Sequence, residues 1–166
     1  MVDDADEREF ERLRALQETG ILDAAAPEFE EVVKRAKEQF DVPIALVTLI
    51  DRTVQILKTR IGLDVESTPR AWAFCDYTIR ANDVFVVPDA HLDSRFASNP
   101  LVTGPPFIRF YAGAPLTYLE DVRLGALCLI APTPRDFSLG DKAELAALAD
   151  EITALIAQRE FRDLKL

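Results

Sequence analysis

SRFASNPLVTGPPFIRFYAGAP, residues 94–115, is a turn-rich loop that runs straight into an apolar strand. Its Asn, Pro, Gly and Ser belong to a connection, yet it keeps Phe96, Leu101 and Val102. Connections lie on the surface and shed apolar residues. A long loop that retains them folds back over its own domain, and closing over a pocket is one such use.

Downstream, residues 107–116 read as a strand. One alternation (Ile108, Phe110, Ala112, Ala114, Leu116) is apolar. The other (Phe107, Arg109, Tyr111, Gly113, Pro115) is mixed. A turn at 119–121 and a returning strand at 123–130 complete a hairpin. Upstream, IALVTLI at 44–50 is apolar on both alternations, which predicts a strand covered on both faces. Asp51-Arg52 turns the chain and 54–61 returns as a second hairpin. Residues 62–70 read as loop, 74–81 as a short helix and 84–87 as a brief strand ended by Pro88. The long loop then spans 89–106.

Helices flank these strands. Residues 6–19 place Phe10, Leu13 and Leu16 on one stripe, with Gly20 as the stop. After Pro27, the residues Phe29, Val32, Val33, Ala36 and Phe40 recur at the spacing of an apolar face. Ser138 with Asp141 resembles a capping box. From there a helix is predicted over 138–166, roughly 42 Å long at 1.5 Å per residue. Leu145, Leu148, Ile152 and Leu155 form its seam, and Arg159 and Arg162 take the next seam positions. Its last turns are therefore exposed or fit for a partner helix. The pattern predicts an α+β fold: a three-layer α/β/α sandwich around a central antiparallel sheet of five or six strands, with a pocket beneath the long loop.

The chain has 166 residues, which predicts a single domain over 1–166. Its apolar fraction of 49% and charged fraction of 29% are those of an ordinary globular protein. The formal charge of −10 argues against a nucleic-acid surface and against docking on an anionic membrane. No apolar run reaches the length of a membrane span, and the acidic start MVDDADEREFE is unlike a secretory signal, so a cytoplasmic location is expected. Cys75 and Cys128 are far apart in sequence and read as free buried thiols. With one histidine, a zinc site is not expected, and the chain is predicted to carry no cofactor.

The candidate ligand-binding residues are Trp72, Phe74, Cys75, Tyr77, Thr78, Asp89, Phe96, Arg109, Tyr111 and Cys128. Arg109 and Tyr111 share the mixed face of their strand. Arg109 would hold an anion there, or else pair with Asp89 or Asp93. Gly113 admits close approach by another backbone. Cys75 would sense redox state if its thiolate were stabilised. No cation stands beside it in sequence and Asp76 opposes ionisation, so an inert thiol is the stronger expectation. Cys128, inside a strand, reads as packing. His91 reads as a surface residue, and Asp89 and Asp93 as loop-shaping carboxylates. No catalytic residue and no metal ligand is assigned.

Eight blocks carry a family likeness: RLRALQETGILD (12–23), PIALVTLID (43–51), GLDVESTPR (62–70), FCDYTI (74–79), VVPDA (86–90), DSRFASNPLVTG (93–104), IRFYAGAPL (108–116) and RLGALCLI (123–130). In this order they resemble a bacterial GAF domain of the type found before histidine kinase or diguanylate cyclase modules. The resemblance implies a sheet of five or six strands, a small-molecule or regulatory pocket, and dimerisation through terminal helices. The chain also departs from its relatives. Ile56 stands where many carry an aromatic residue, and Tyr77 where many carry His. Cys75 is followed by Asp76 and Cys128 by Leu129, unlike the Cys-His of pigment-binding relatives. The NKxxF-type signature of cyclic-nucleotide binders is absent. The methionine-sulfoxide-reducing relatives use three cysteines, and this chain has two.

The expected function is a non-catalytic sensory or regulatory module. It would take a small molecule or a partner in the lidded pocket and signal through helices 6–19 and 138–166 as a homodimer. A histidine kinase or diguanylate cyclase would be its effector. The alternatives are a cysteine-dependent free methionine sulfoxide reductase and a ligand-free interaction scaffold. Whether the chain acts alone or is a module of a longer protein stays open.

Overall fold

The computed structural model describes residues 4–119 and 121–164, with side chains through 160. The predicted chain ends at 1–3 and 165–166, Glu120 in the second hairpin turn and the Arg162 side chain lie outside the described residues. Helices α1 (Asp4–Glu18) and α2 (Phe29–Phe40) precede β1 (Ile44–Ile50), β2 (Val54–Ile61) and β3 (Ser67–Pro69). Next come α3 (Cys75–Thr78), β4 (Phe85–Val87), α4 (Pro100–Thr103), β5 (Phe110–Thr117), β6 (Arg123–Ala131) and α5 (Leu139–Leu164). The six strands form one antiparallel sheet in the order β3-β2-β1-β6-β5-β4. Among the described residues no helix is long and apolar enough to cross a membrane.

β1 is buried along its whole length, as a strand apolar on both alternations must be. Val47 and Leu49 face a core shared with α2 and α5, which contribute Phe29, Val33, Leu145 and Ile152. Leu46 and Ile50 face a second core with Phe74, Phe96 and Val102 from α3 and the long loop. This is the α+β sandwich that the sequence predicts. The Ser138–Asp141 capping box forms reciprocally at 3.0 Å in both directions.

Several local expectations are corrected. β3 forms within the predicted loop at 62–70, where Gln55 pairs with Thr68. Pro69 is tolerated because β3 is the sheet edge. α3 is one turn, not a helix over 74–81, since β-branched Thr78 and Ile79 lead directly into a turn. β5 begins at Phe110, not 107, because Phe107 adopts φ 58° and breaks the extended run. Ile108 therefore leaves the apolar alternation and joins the second core. The loop at 89–106 contains the single turn α4 and a 3₁₀ turn at Ala90–Leu92.

The α1 stripe is also misread from sequence. Phe10 is 68% exposed and Leu13 half-buried, while Arg12 and Leu16 are buried. Arg12 tolerates burial because it donates to both Glu9 carboxylate oxygens, at 2.8 and 3.1 Å, and to the Arg123 carbonyl at 3.3 Å. At the other end of the chain, Arg159 is not left for a partner helix. It pairs with Glu28 at 2.7 Å.

Candidate functional site

The apolar loop that opens the sequence reading does fold over something, and what it covers is other side chains. Phe96 is buried from the loop and stacks on Phe74 with ring centroids 4.0 Å apart and planes 11° from parallel. Tyr111 leans on Phe74 at 5.2 Å. Tyr77, half-buried, meets the edge of Phe96 at 5.0 Å and carries the Arg80 guanidinium 4.1 Å above its ring. The loop is anchored by Asn99, whose amide donates to the Trp72 carbonyl at 3.0 Å and whose side-chain oxygen caps α4 through Leu101 N.

Beneath these rings lies a small polar nest. Tyr111, fully buried on β5, donates from its hydroxyl to Cys75 Sγ at 3.1 Å, and the same oxygen lies 2.7 Å from the Thr78 hydroxyl. Cys75 Sγ is 3.8 Å from Cys128 Sγ on β6. The Thr48 hydroxyl on β1, fully buried, donates to the Ala126 carbonyl at 3.5 Å. Gly113 makes this possible: a Cβ there would sit 2.1 Å from the Tyr111 hydroxyl oxygen and 2.8 Å from the Thr78 hydroxyl. The close approach expected at Gly113 is thus by a side chain, not by a backbone.

The two thiols differ in electrostatic setting. Burial alone raises the Cys75 thiol, but its interactions with Cys128, Thr48 and Tyr111 outweigh it and bring its pKa below the usual thiol value, against the opposing charge of Asp76. Cys128 is pushed well up by its bond to Cys75 and by burial. Tyr111 is pushed well up by burial and then by the charge on Cys75. Both cysteines are free and buried, as the sequence predicts, and although far apart in sequence they meet in space. Their neighbours arrive by topology, across 53 residues of sequence.

Five candidate residues, Phe74, Cys75, Phe96, Tyr111 and Cys128, are packed together in the second core with Tyr77 at its edge, and buried Thr78 joins them through the Tyr111 hydroxyl. The others stand apart. Trp72 is 38% exposed and offers its carbonyl rather than its ring. Asp89 caps the 3₁₀ turn by accepting from His91 N at 3.1 Å, and His91 is exposed. Arg109 donates to the carbonyls of Val102 and Ile108, both at 3.0 Å, instead of pairing with Asp89 or Asp93. Asp93 is taken by Arg95 at 2.7 Å.

Sequence reasoning misses a charge network beside the nest. Asp76, next to Cys75, holds Arg70 at 2.9 Å, and Arg70 holds Glu9 of α1 at 2.6 Å. Burial alone raises Glu9, but hydrogen bonds from Arg12 and Arg70 overcome it and hold the carboxyl at about 2. Helix α1 thereby touches both layers: Leu16 sits in the α2/α5 core and Glu9 reaches the α3 side. Thr48 is missed too, although it is the one polar residue in IALVTLI and so the one visible signal.

The family model for the GAF domain matches residues 26–159. A cyclic di-GMP phosphodiesterase of Pseudomonas aeruginosa is 46% identical over 130 residues, covering 78% of this chain and 22% of that protein, so the chain spans about a fifth of that relative's length. The type II free methionine-R-sulfoxide reductase of Thermoplasma acidophilum matches with TM-score 0.66 at 16% identity, over 81% of this chain and 93% of that one. The GAF domain of an Acinetobacter phosphoenolpyruvate-protein phosphotransferase matches with TM-score 0.64 at 17% identity, over 95% and 96%. At these identities the two structures establish likeness of fold alone.

Proposed function

The chain belongs to the GAF domain family, and from that premise we propose that it is a non-catalytic sensory or regulatory module read out through α1 and α5. The observation that carries this reading is the continuous link Asp76–Arg70–Glu9 between α3 and α1. A small molecule or partner that displaces the Phe96 loop from Phe74 moves α3, and α3 holds α1 through charge-assisted hydrogen bonds. Such an effector acts only through its differential affinity for the displaced and closed arrangements. The candidate set around Tyr111, with Arg109 securing the loop, is where it would act. Phe10, exposed on α1, supports a homodimer through the terminal helices. The resemblance to a cyclic di-GMP phosphodiesterase supports an effector in cyclic-dinucleotide signalling, alongside a histidine kinase or diguanylate cyclase.

The reductase likeness supports an enzymatic alternative, but Cys75 and Cys128 are 2% and 0% exposed, which leaves no room at either sulfur for a substrate as large as an amino acid. Native mass spectrometry of the freshly purified protein tests the reading. A stoichiometric small molecule that is lost in Phe96→Ala supports it. Turnover of free methionine sulfoxide by the intact chain overturns it.

A further inference from the structure

We propose that Cys75 and Cys128 are a peroxide-oxidisable pair, with Cys75 the attacking thiolate and Cys128 the resolving thiol that closes an intramolecular disulfide between α3 and β6. A buried hydroxyl and a second sulfur converge on one sulfur. Tyr111 Oη donates to Cys75 Sγ at 3.1 Å, and Cys128 Sγ lies 3.8 Å from it. Thr78, 2.7 Å from Tyr111 Oη, supplies a second hydroxyl that frees the phenol proton to point at the sulfur. An inert packing thiol needs no such cradle, since a neutral S–H is a weak donor and a weak acceptor. A thiolate does, because burial otherwise disfavours its charge. The opposing carboxylate of Asp76 is drawn off by Arg70 and Arg80, at 2.9 and 3.2 Å.

The chemistry balances with a hydroperoxide as the oxidant. The Cys75 sulfur attacks the peroxide oxygen. An S–O bond forms, the O–O bond breaks and an alcohol (or water, from hydrogen peroxide) leaves, giving the sulfenic acid. The Cys128 sulfur then displaces that oxygen as water and the S–S bond forms. Two thiols lose two electrons and the peroxide gains them. The sulfurs must close from 3.8 Å to about 2.0 Å. The reach is short because α3 is a single turn lying on β6. An external dithiol reverses the bond by exchange. This oxidation is independent of the small-molecule reading above and holds whether or not that reading does.

The test treats the full chain with hydrogen peroxide, quenches, unfolds and alkylates. Both thiols are expected to vanish together, with a mass lower by two hydrogens, a Cys75–Cys128 linked peptide, and recovery in dithiothreitol. Cys128→Ser is expected to leave Cys75 as a sulfenic acid that dimedone captures, whereas Cys75→Ser leaves Cys128 unlabelled. Tyr111→Phe, checked for native circular dichroism, is expected to slow oxidation about tenfold, the loss of one bond to the thiolate. The proposal is overturned if peroxide adds oxygen to either sulfur without linking them, or links separate chains. It is equally overturned if the folded Tyr111→Phe variant reacts at the parent rate.

Discussion

The face of the sheet turned to α2 and α5 and the face turned to α3 are both dry, but they are built from different materials. The first is apolar at its centre, with Phe29, Val33, Leu127, Leu145 and Ile152. The second sets aromatic rings over a nest of two thiols and three hydroxyls, and its rim is a network of arginines and carboxylates. One face holds the protein together and the other holds groups whose state can change. On the apolar face the expected losses are therefore large and chemically blunt. Phe29→Ala, at a fully buried position of α2, should destabilise by about 4 kcal/mol in urea unfolding. A loss near 1 kcal/mol would mean that the two faces carry similar loads.

The next effect falls on the α3 face. Gly113→Ala places a methyl 2.1 Å from the Tyr111 hydroxyl oxygen and must expel it from the nest. A destabilisation of about 2–3 kcal/mol is expected from overpacking and the abandoned hydrogen bonds. Gly113→Ala with Tyr111→Phe should recover part of it, because the nearest clashing atom is gone while the ring carbon at 2.7 Å and the Thr78 hydroxyl at 2.8 Å remain. A double variant as unstable as the sum of the two singles would show that Gly113 matters for its backbone and not for the phenol.

The rim is tested by pH. Glu9 is held at about 2 by Arg12 and Arg70, against a usual value of 4.5. Its folded pKa is depressed, so its stabilisation is full above about pH 4.5 and is lost as pH falls towards 2. The carboxylate is one-third exposed, which discounts the effect to about 1–2 kcal/mol. Glu9→Gln should remove that much at neutral pH and flatten the stability curve in this acid window. An unchanged slope would place the acid sensitivity elsewhere.

This contrast explains what the sequence discloses and what it withholds. The apolar face is legible, because periodicity reports burial: the spacing of Phe29, Val32, Val33, Ala36 and Phe40 and the run IALVTLI each point to the core they enter. The GAF blocks are legible for the same reason, since they are the strands and turns of that frame. The second face is not, because its chemistry is assembled across chain separation. Cys75 shows Asp76 as its sequence neighbour, while its partners in space come from β5 and β6. Arg12 defeats the pattern on α1, where a buried ion pair takes the place that Phe10 would hold in an apolar stripe.

The smallest expected effect is the most specific. Tyr111→Phe keeps the ring against Phe74 and removes one oxygen from the nest. Its cost in stability should be about 1 kcal/mol, the loss of a neutral hydrogen bond with Thr78, because the packing is untouched. Its effect on the Cys75 thiol should exceed its effect on folding. Without the phenol, burial has one fewer bond to overcome, so the thiol pKa rises. Following thiolate absorbance against pH in parent and variant measures this directly, with Cys128→Ser present in both to isolate one sulfur. A rise with nearly unchanged stability is the behaviour of a face built to tune a group rather than to fill space. Equal titration in the two proteins would mean that the α3 face, like its opposite, is packing alone.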